Sequence, residues 1–218
     1  MATPIVFVAG NDPVALQLVQ SVASPGGRLT GIYVRATDLT GKRLELLRDI
    51  VPGLHRVVTF YDPSNRSAVE AAKEARDATR TLGLELFEGH VASVEELHKL
   101  LQSVNVYKND AYFGVSDAMI DIEANAIIEW SLVKKLPTMF YQQDAIAKGG
   151  LATYTTDFQE GGRVSAKHVQ RTLSGSDPAN LPVEGLDRLL FIINLKTAKQ
   201  IGLAIPEAVL LRADKVIE

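Results

Sequence analysis

The chain has 218 residues, of which 46% are hydrophobic and 22% charged, with a formal net charge of -3. This composition is typical of a globular protein with one large domain or two small lobes, and the weak negative charge disfavours nucleic acid as a partner. The absence of cysteine excludes a disulfide framework, a thiolate nucleophile and a cysteine zinc site.

The N-terminal segment predicts two strands with a helix between them. Ile5–Ala9 is a continuous apolar run, as in a buried parallel strand, and it stops at the polar turn Gly10-Asn11-Asp12-Pro13. Asp12 is a suitable N-cap residue, so we expect a helix over residues 14–22. A second strand is predicted at Leu29–Val34.

The remainder alternates helices and strands with short turns. Helices are predicted at Lys42–Ile50, at Ser67–Leu82, after Ser93, between Val115 and Pro137, at Gln159–Leu173, at Leu195–Ile201 and, on the surface, at Glu207–Glu218. Strands are predicted at Arg56–Tyr61, Leu84–Phe87, Ala111–Val115, Pro137–Tyr141, Leu151–Thr155 and Leu189–Asn194. This alternation indicates an α/β fold with a doubly wound parallel sheet.

Polar clusters follow three of the predicted strands. Because the carboxyl ends of parallel strands share one edge of a sheet, these side chains are expected on one rim, where such folds bind ligands. The rim residues are Ser116, Asp117, Gln142, Gln143, Asp144, Thr155, Thr156 and Asp157. They offer hydroxyl, amide and carboxylate groups but no nucleophile paired with a base, so the rim is predicted to hold a small polar molecule rather than to transform one.

Two polar turns, one at Asp62–Ser67 and one at Asp117, have a structural as well as a functional interpretation. The segment Asp62–Ser67 follows a strand and opens a helix, so it is either a simple turn with an N-cap or a place for a carboxylate or phosphate at the helix N-terminus. Asp117 is likewise either an N-cap residue or a ligand contact, and the two roles are compatible. Trp130 and Phe158 are interpreted as core residues.

The sequence predicts neither a metal nor a cofactor. Its four histidines, His55, His90, His98 and His168, show no spacing typical of metal ligands. The glycine-rich dinucleotide fingerprint and the P-loop lysine are both missing.

Several longer runs resemble a known family. They are Thr40–Leu47 with Val51-Pro52-Gly53, Tyr61–Asn65, Lys148–Tyr154, Leu181–Glu184, Asn194–Lys199 and Arg212–Ile217. Together they resemble the ABC-transporter substrate-binding proteins of the tryptophan/tyrosine-type family. The resemblance implies the fold of type I periplasmic binding proteins, in which two Rossmann-like lobes hold a ligand in the cleft between them.

The resemblance also implies a domain organisation and a set of site residues. The first lobe is expected to be partial, formed by residues 1–40 with 156–180, and the second complete, formed by 41–155 with 181–218. To the rim residues Ser116, Asp117, Gln142, Gln143, Thr156 and Asp157 it adds Asn11, Asp12, Asn65 and Ser67 as ligand-binding positions. Asp117 or Asp157 is expected to bind a ligand ammonium group, although Ser116-Asp117-Ala118 departs from the family's usual Thr-Asp-Asn.

The predicted function is therefore that of a solute-binding component of an ABC importer, capturing an amino acid or a related organic acid. The family implies a transporter permease as partner and a periplasmic location, and the partial lobe predicts a homodimer. Two alternatives stay open at this stage: a ligand-sensing domain of a signalling system, and an enzyme of flavodoxin-like or hydrolase type. We expect no enzymatic activity, because the rim lacks a catalytic constellation.

Overall fold

The computed structural model describes residues 3–10, 12–34 and 38–218. The chain separates into two compact units, a smaller one of Met1–Ala36 with Thr156–Leu189 and a larger one of Thr37–Thr155 with Leu190–Glu218. The segment after residue 180, predicted in the second lobe, includes the short strand Glu184–Gly185, which pairs within the smaller unit. The division into one partial and one complete lobe stays a prediction.

The smaller unit is built on a three-stranded parallel sheet of order β1-β2-β8. Its strands are β1 (Ile5–Ala9), β2 (Leu29–Tyr33) and β8 (Glu184–Gly185), and helix α7 (Phe158–Leu173) packs on them. The buried core consists of Ile32, Val34, Val164 and Leu186. Gly31 is required in β2, because a Cβ at this position would lie 2.1 Å from the carbonyl oxygen of Phe7.

The helix predicted after Asp12 is wrong for the described residues 12–22, which form turns. Asp12 does behave as a cap, since its Oδ1 accepts from the backbone N–H of Val14 at 2.8 Å. Gln17, however, has a φ of 57°, a left-handed conformation that interrupts a helix. Val14, Leu16 and Leu18 remain exposed and Val19 is buried, so the segment lacks the continuous buried stripe that would hold it in a helix.

The larger unit contains a seven-stranded sheet of order β10-β9-β7-β6-β5-β3-β4, in which the recorded strand pairs are parallel. Its strands are β3 (Arg56–Tyr61), β4 (Glu85–His90), β5 (Asp110–Phe113), β6 (Thr138–Phe140), β7 (Ala152–Thr156), β9 (Leu189–Asn194) and β10 (Lys215–Ile217). Its helices are α1 (Thr40–Ile50), α2 (Arg66–Leu82), α3 (Val94–Ser103), α4 (Ala118–Ile122), α5 (Ala124–Val133), α6 (Asp144–Ala147), α8 (Leu195–Ile201) and α9 (Glu207–Leu210). The predicted α/β class is confirmed.

Helices cover both faces of this sheet, and each face has its own core. Alternate residues of β3 contribute to the two cores, with Val57 on the α1 and α2 side and Val58 on the α3 and α5 side. Leu47 lies in the first core and Trp130 in the second, where its ring packs against Phe60 at a centroid distance of 5.7 Å. Successive side chains of a strand point to opposite faces, and both faces are covered by helices, so the strands are apolar throughout.

Helix boundaries follow local capping chemistry. The predicted capping box at Ser93 forms, because the backbone N–H of Glu96 donates to Ser93 Oγ at 3.2 Å. The Glu96 carboxylate reaches back to the backbone N–H of Ala92 at 2.8 Å. The predicted surface helix over Glu207–Glu218 is wrong beyond its first turn, since Lys215–Ile217 pairs with β9 instead.

No helix in the described part of the chain is both long and apolar enough to cross a membrane.

Candidate ligand-binding site

The candidate site lies in the larger unit, at the rim where β3, β5 and β6 end. Because these strands are parallel, their carboxyl ends share one edge, and the turns that follow them lie side by side. Three of the predicted site positions lie in these turns: Asn65 after β3, Ser116 after β5 and Gln142 after β6. The structure brings these turns together in one polar cluster.

Asp117 is the most extensively hydrogen-bonded carboxylate of this rim. Its Oδ1 accepts from the backbone N–H groups of Met119 at 2.9 Å and Ile120 at 3.2 Å, which makes it the N-cap of α4. Its Oδ2 accepts from the backbone N–H of Asp62 at 3.0 Å and from Asn65 Nδ2 at 3.4 Å. Asp117 is 1% exposed, so its carboxylate ties two turns together inside the protein.

Asn65 and Ser67 begin helix α2 in the same cluster. Asn65 Oδ1 accepts from the backbone N–H groups of Ser67 at 3.1 Å and Ala68 at 3.4 Å. The side chain of Asn65 therefore already occupies two of the N–H groups that a bound anion would use. Ser67 is exposed in the first turn and keeps its hydroxyl accessible.

Asp121, in the short helix α4, forms a second polar group with Tyr141 and Gln142. The Tyr141 hydroxyl and Gln142 Nε2 both donate to Asp121 Oδ2, the latter at 2.9 Å. Gln142 Nε2 is also 2.9 Å from the Tyr141 hydroxyl, and Ser116 hydrogen-bonds to that hydroxyl. The three residues are only half-buried, so this group borders solvent.

The protonation of Asp121 is shifted by its surroundings. Burial raises the pKa of the Asp121 carboxyl to about 6, and the nearby charges of Asp117 and Asp144 act in the same direction. The hydrogen bonds from Tyr141 and Gln142 oppose this increase, because they stabilise the ionised carboxylate. Burial likewise raises the pKa of Tyr141, so its phenol stays protonated and acts as a donor.

Arg43 places a positive charge beneath the same cluster. It lies on α1, is 3% exposed, and its guanidinium carbon is 6.0 Å from the ring centroid of Phe113 and 5.8 Å from that of Tyr141. Its Nε donates to the carbonyl of Leu39 at 3.4 Å. Burial lowers the pKa of Arg43 to about 10, so the guanidinium is still charged at neutral pH.

Sequence reasoning did not select Arg43, Asp121 or Tyr141 as site residues. Arg43 lies on the same helical face as the buried residues Leu47 and Ile50. A charged residue on a buried face is unusual, and this spacing indicates in the sequence that Arg43 has a specific role. Asp121 gave no comparable signal, because its role depends on Tyr141, which is 20 residues away along the chain.

The remaining predicted residues lie elsewhere or make other contacts. Gln143 stands at the N-cap position of α6 without a side-chain cap hydrogen bond. In the smaller unit, Thr156 is buried at the end of β7, and Asp157 caps α7 through the backbone N–H of Gln159 at 2.9 Å and pairs with Arg188 Nε at 3.3 Å. Asp12 caps its own turn, and Asn11 lies outside the described residues.

The rim therefore offers a half-buried carboxylate, amide and hydroxyl groups, and aromatic rings. Across residues 3–10, 12–34 and 38–218, no three His, Asp or Glu side chains converge as metal ligands. These groups suit the binding of a small polar molecule by hydrogen bonds and ring contacts.

Comparison with known proteins shows both a similar fold and a family. The structure superimposes on that of a conserved domain protein from Vibrio cholerae with a TM-score of 0.85 and 26% identity, covering 98% of this chain and 71% of that one. Residues 1–217 match the family of ABC transporter substrate binding proteins. The chain belongs to this family.

Two further relatives carry names that mention a ligand. The chain is 24% identical over 202 residues to a tyrosine-binding protein of Clostridioides difficile, and the match covers 92% of this chain but 57% of that protein. The fold is also similar to that of an ABC domain from Streptococcus pneumoniae in complex with L-Trp, with a TM-score of 0.82 and 24% identity over 98% of this chain and 72% of that one. This chain thus spans a little over half the length of its curated relative.

Proposed function

We propose that this chain is the solute-binding component of an ABC importer and that it captures an amino acid with an aromatic side chain. Family membership supports the transport role. The ligand class is supported by the names of two relatives, the tyrosine-binding protein and the domain in complex with L-Trp.

One observation carries the proposal for the site. Tyr141 has two opposite charges close to it: the guanidinium carbon of Arg43 is 5.8 Å from its ring centroid, and its hydroxyl donates to the carboxylate of Asp121. A cation and an anion near one aromatic residue create a field that favours a zwitterion over a singly charged molecule. An α-amino acid is such a zwitterion at neutral pH.

Within this site we assign the ligand ammonium group to Asp121. Of the two residues expected from the sequence, Asp117 already accepts four hydrogen bonds from protein donors. The other, Asp157, caps α7 and pairs with Arg188. Among the described residues, the two hydrogen bonds that Asp121 accepts both end on Oδ2, so we assign the ligand to Oδ1. The exposed hydroxyl of Ser67 is the proposed partner of the ligand carboxylate. Ser116, whose hydroxyl bonds to that of Tyr141, stays a predicted site residue.

The remaining predicted ligand-binding positions stay part of the proposal. They are Asn11, Asp12, Asn65, Asp117, Gln142, Gln143, Thr156 and Asp157. A transporter permease as partner, a periplasmic location and the absence of catalytic turnover complete the proposed function, and all three are supported by the family alone.

The predicted homodimer also stays a prediction. Val8 on β1 and Leu173 at the end of α7 are 62% and 83% exposed, as an apolar association surface requires. Light scattering tests it, and a monomer at tens of micromolar protein contradicts it.

Ligand-dependent thermal unfolding, followed by calorimetric titration, tests the proposed function. L-Tyrosine and L-tryptophan are expected to raise the melting temperature, because a ligand that binds only the folded state stabilises it. N-Acetyl-L-tyrosine lacks the ammonium charge and serves as the matched control, for which we expect little or no increase. No increase with any free amino acid would reject the proposed ligand class.

A further inference from the structure

Tyr112 carries a buried hydroxyl that the packing around it does not explain. The residue lies in the middle of the sheet, on β5, and is 0% exposed. Its ring packs against Phe60 and Phe140 at centroid distances of 5.6 and 5.5 Å. Among the described residues its hydroxyl has no hydrogen-bond partner. Buried polar groups in native proteins are almost always paired with protein or with ordered water, so this hydroxyl calls for a partner.

A small cavity adjoins this residue. Its volume is about 10 Å³, and its walls include Tyr112, Asp121, Phe140, Tyr141 and Gln142. A volume of roughly 10 to 15 Å³ is what a single water molecule needs, and buried waters typically make about three hydrogen bonds. The hydroxyl, carboxylate and amide groups of these walls supply that number of partners.

Asp121, which lines the cavity, has an acceptor oxygen that no hydrogen bond among the described residues uses. Both of its hydrogen bonds from described protein groups, from Tyr141 and Gln142, end on Oδ2. The charge of Asp121 also influences the Tyr112 hydroxyl, since it contributes to raising the pKa of that phenol after the larger effect of burial. The donor without a partner and the carboxylate with a free oxygen therefore border one cavity of the size of one water.

We propose that this cavity binds one water molecule, which accepts a hydrogen bond from the Tyr112 hydroxyl and donates one to the carboxylate of Asp121. Tyr112 is then a positioning residue that acts on Asp121 through the water. The consequence for ligand binding rests on the proposed function: the water holds the carboxylate ionised and oriented for the ligand ammonium group.

The proposed water-mediated hydrogen bond predicts a specific change in the titration of Asp121. A hydrogen bond donated to a carboxylate stabilises its ionised form, so loss of the water is expected to raise the pKa of Asp121. The other groups that influence this carboxyl are Tyr141, Gln142, Asp117 and Asp144, and the guanidinium carbon of Arg43 is 5.8 Å from the Tyr141 ring centroid. None of these is altered by Tyr112→Phe, which removes the hydroxyl and keeps the ring.

The experiment is the NMR titration of the Asp121 carboxyl carbon in the ligand-free protein. In Tyr112→Phe the pKa of Asp121 is expected to rise by about half a unit, a typical effect of losing one hydrogen bond to the charged form. The matched control is Tyr154→Phe, which removes a phenol hydroxyl from a ring packed on Phe191 at 6.4 Å and outside the cavity walls. The control is expected to leave the Asp121 titration unchanged.

An unchanged Asp121 pKa in Tyr112→Phe, with the variant folded, would overturn the proposal. If that variant does not fold, the wild-type protein decides: a high-resolution crystal structure with an ordered water between Tyr112 and Asp121 supports the proposal, and a structure without one overturns it. Because both measurements use ligand-free protein, their outcome is independent of whether an amino acid binds. A confirmed water with no amino-acid binding would reject the proposed function alone.

Discussion

Asp117 and Asp121 are carboxylates four residues apart on one short segment, and the protein uses them differently. Asp117 is 1% exposed and accepts four hydrogen bonds, two of them from the turn after β3. Asp121 is half-buried, accepts two hydrogen bonds from described residues through Oδ2, and has a pKa raised to about 6 by burial. A buried carboxylate whose oxygens are all hydrogen-bonded by the protein has a structural role. A buried carboxylate with fewer protein donors keeps an oxygen that can accept a hydrogen bond from another molecule.

The largest effect that sharpens this comparison is expected from Asp117→Ala. The change removes the N-cap of α4 and leaves the buried N–H of Asp62 without its partner, so we expect a loss of about 2 to 4 kcal/mol in the free energy of unfolding. Urea denaturation measures it. Asp144→Ala is the matched control, because that carboxylate makes an exposed pair with Lys148 at 3.0 Å worth under about 1 kcal/mol. Equal effects of the two changes would contradict the structural role of Asp117.

Asp121→Asn is expected to act on ligand affinity instead of stability. The amide keeps an oxygen for Tyr141 but loses the charge, so L-tyrosine should bind about 10- to 100-fold more weakly, which corresponds to about 1.4 to 2.7 kcal/mol. Titration calorimetry measures the affinity, and urea denaturation serves to confirm that the variant is folded. An affinity within a factor of about 2 of wild type would remove Asp121 from the site.

The pH dependence of stability provides a third contrast. The pKa of Asp121 is raised from 3.8 to about 6, so between these values the folded state holds a proton that the unfolded state has released. This carboxyl therefore stabilises the folded state at low pH, and that stability is lost as pH rises through 6. Because the group is partly exposed, we expect on the order of 1 kcal/mol.

Urea denaturation of wild type and Asp121→Asn on both sides of this pH range isolates that contribution. The wild type should lose stability relative to the variant as pH rises through 6. A difference between the two proteins that does not change with pH would show that Asp121 titrates at its ordinary pKa.

The smallest effect is expected from Tyr141→Phe. The Tyr141 hydroxyl stabilises the ionised form of Asp121, so its removal should raise the pKa of that carboxyl further. NMR titration of Asp121 in ligand-free protein measures the change. A lower pKa in the variant would contradict the described hydrogen bond.

Much of the fold could be predicted because local patterns agreed with it. Continuous apolar runs gave the buried strands, and the capping chemistry at Ser93 marked the start of α3. The helix predicted after Asp12 failed because capping alone does not hold a helix without a buried face. The helix predicted over Glu207–Glu218 is wrong beyond its first turn because Lys215–Ile217 pairs with β9, a contact between distant segments that local patterns do not reveal.

The site was less predictable than the fold, for a physical reason. Turns after strands indicate where polar groups gather, and the structure places Asn65, Asp117 and Gln142 in the polar turns of one rim. Their role in ligand binding stays a prediction. Whether the donors around a carboxylate satisfy both of its oxygens, however, depends on contacts between segments that are distant along the chain. For this reason the sequence favours Asp117 as the partner of a ligand ammonium group and gives no indication of Asp121.

The central claim is that Asp121 receives the ammonium group of an amino acid, and a calorimetric cycle with two ligands and two proteins tests it most directly. L-Tyrosine and 3-(4-hydroxyphenyl)propanoate differ only in the ammonium group, and wild type is compared with Asp121→Asn. Wild type should prefer L-tyrosine, and the variant should lose most of that preference, because only the ammonium contact depends on the charge of Asp121. An equal loss of affinity for both ligands, or an undiminished preference in the variant, would contradict the claim.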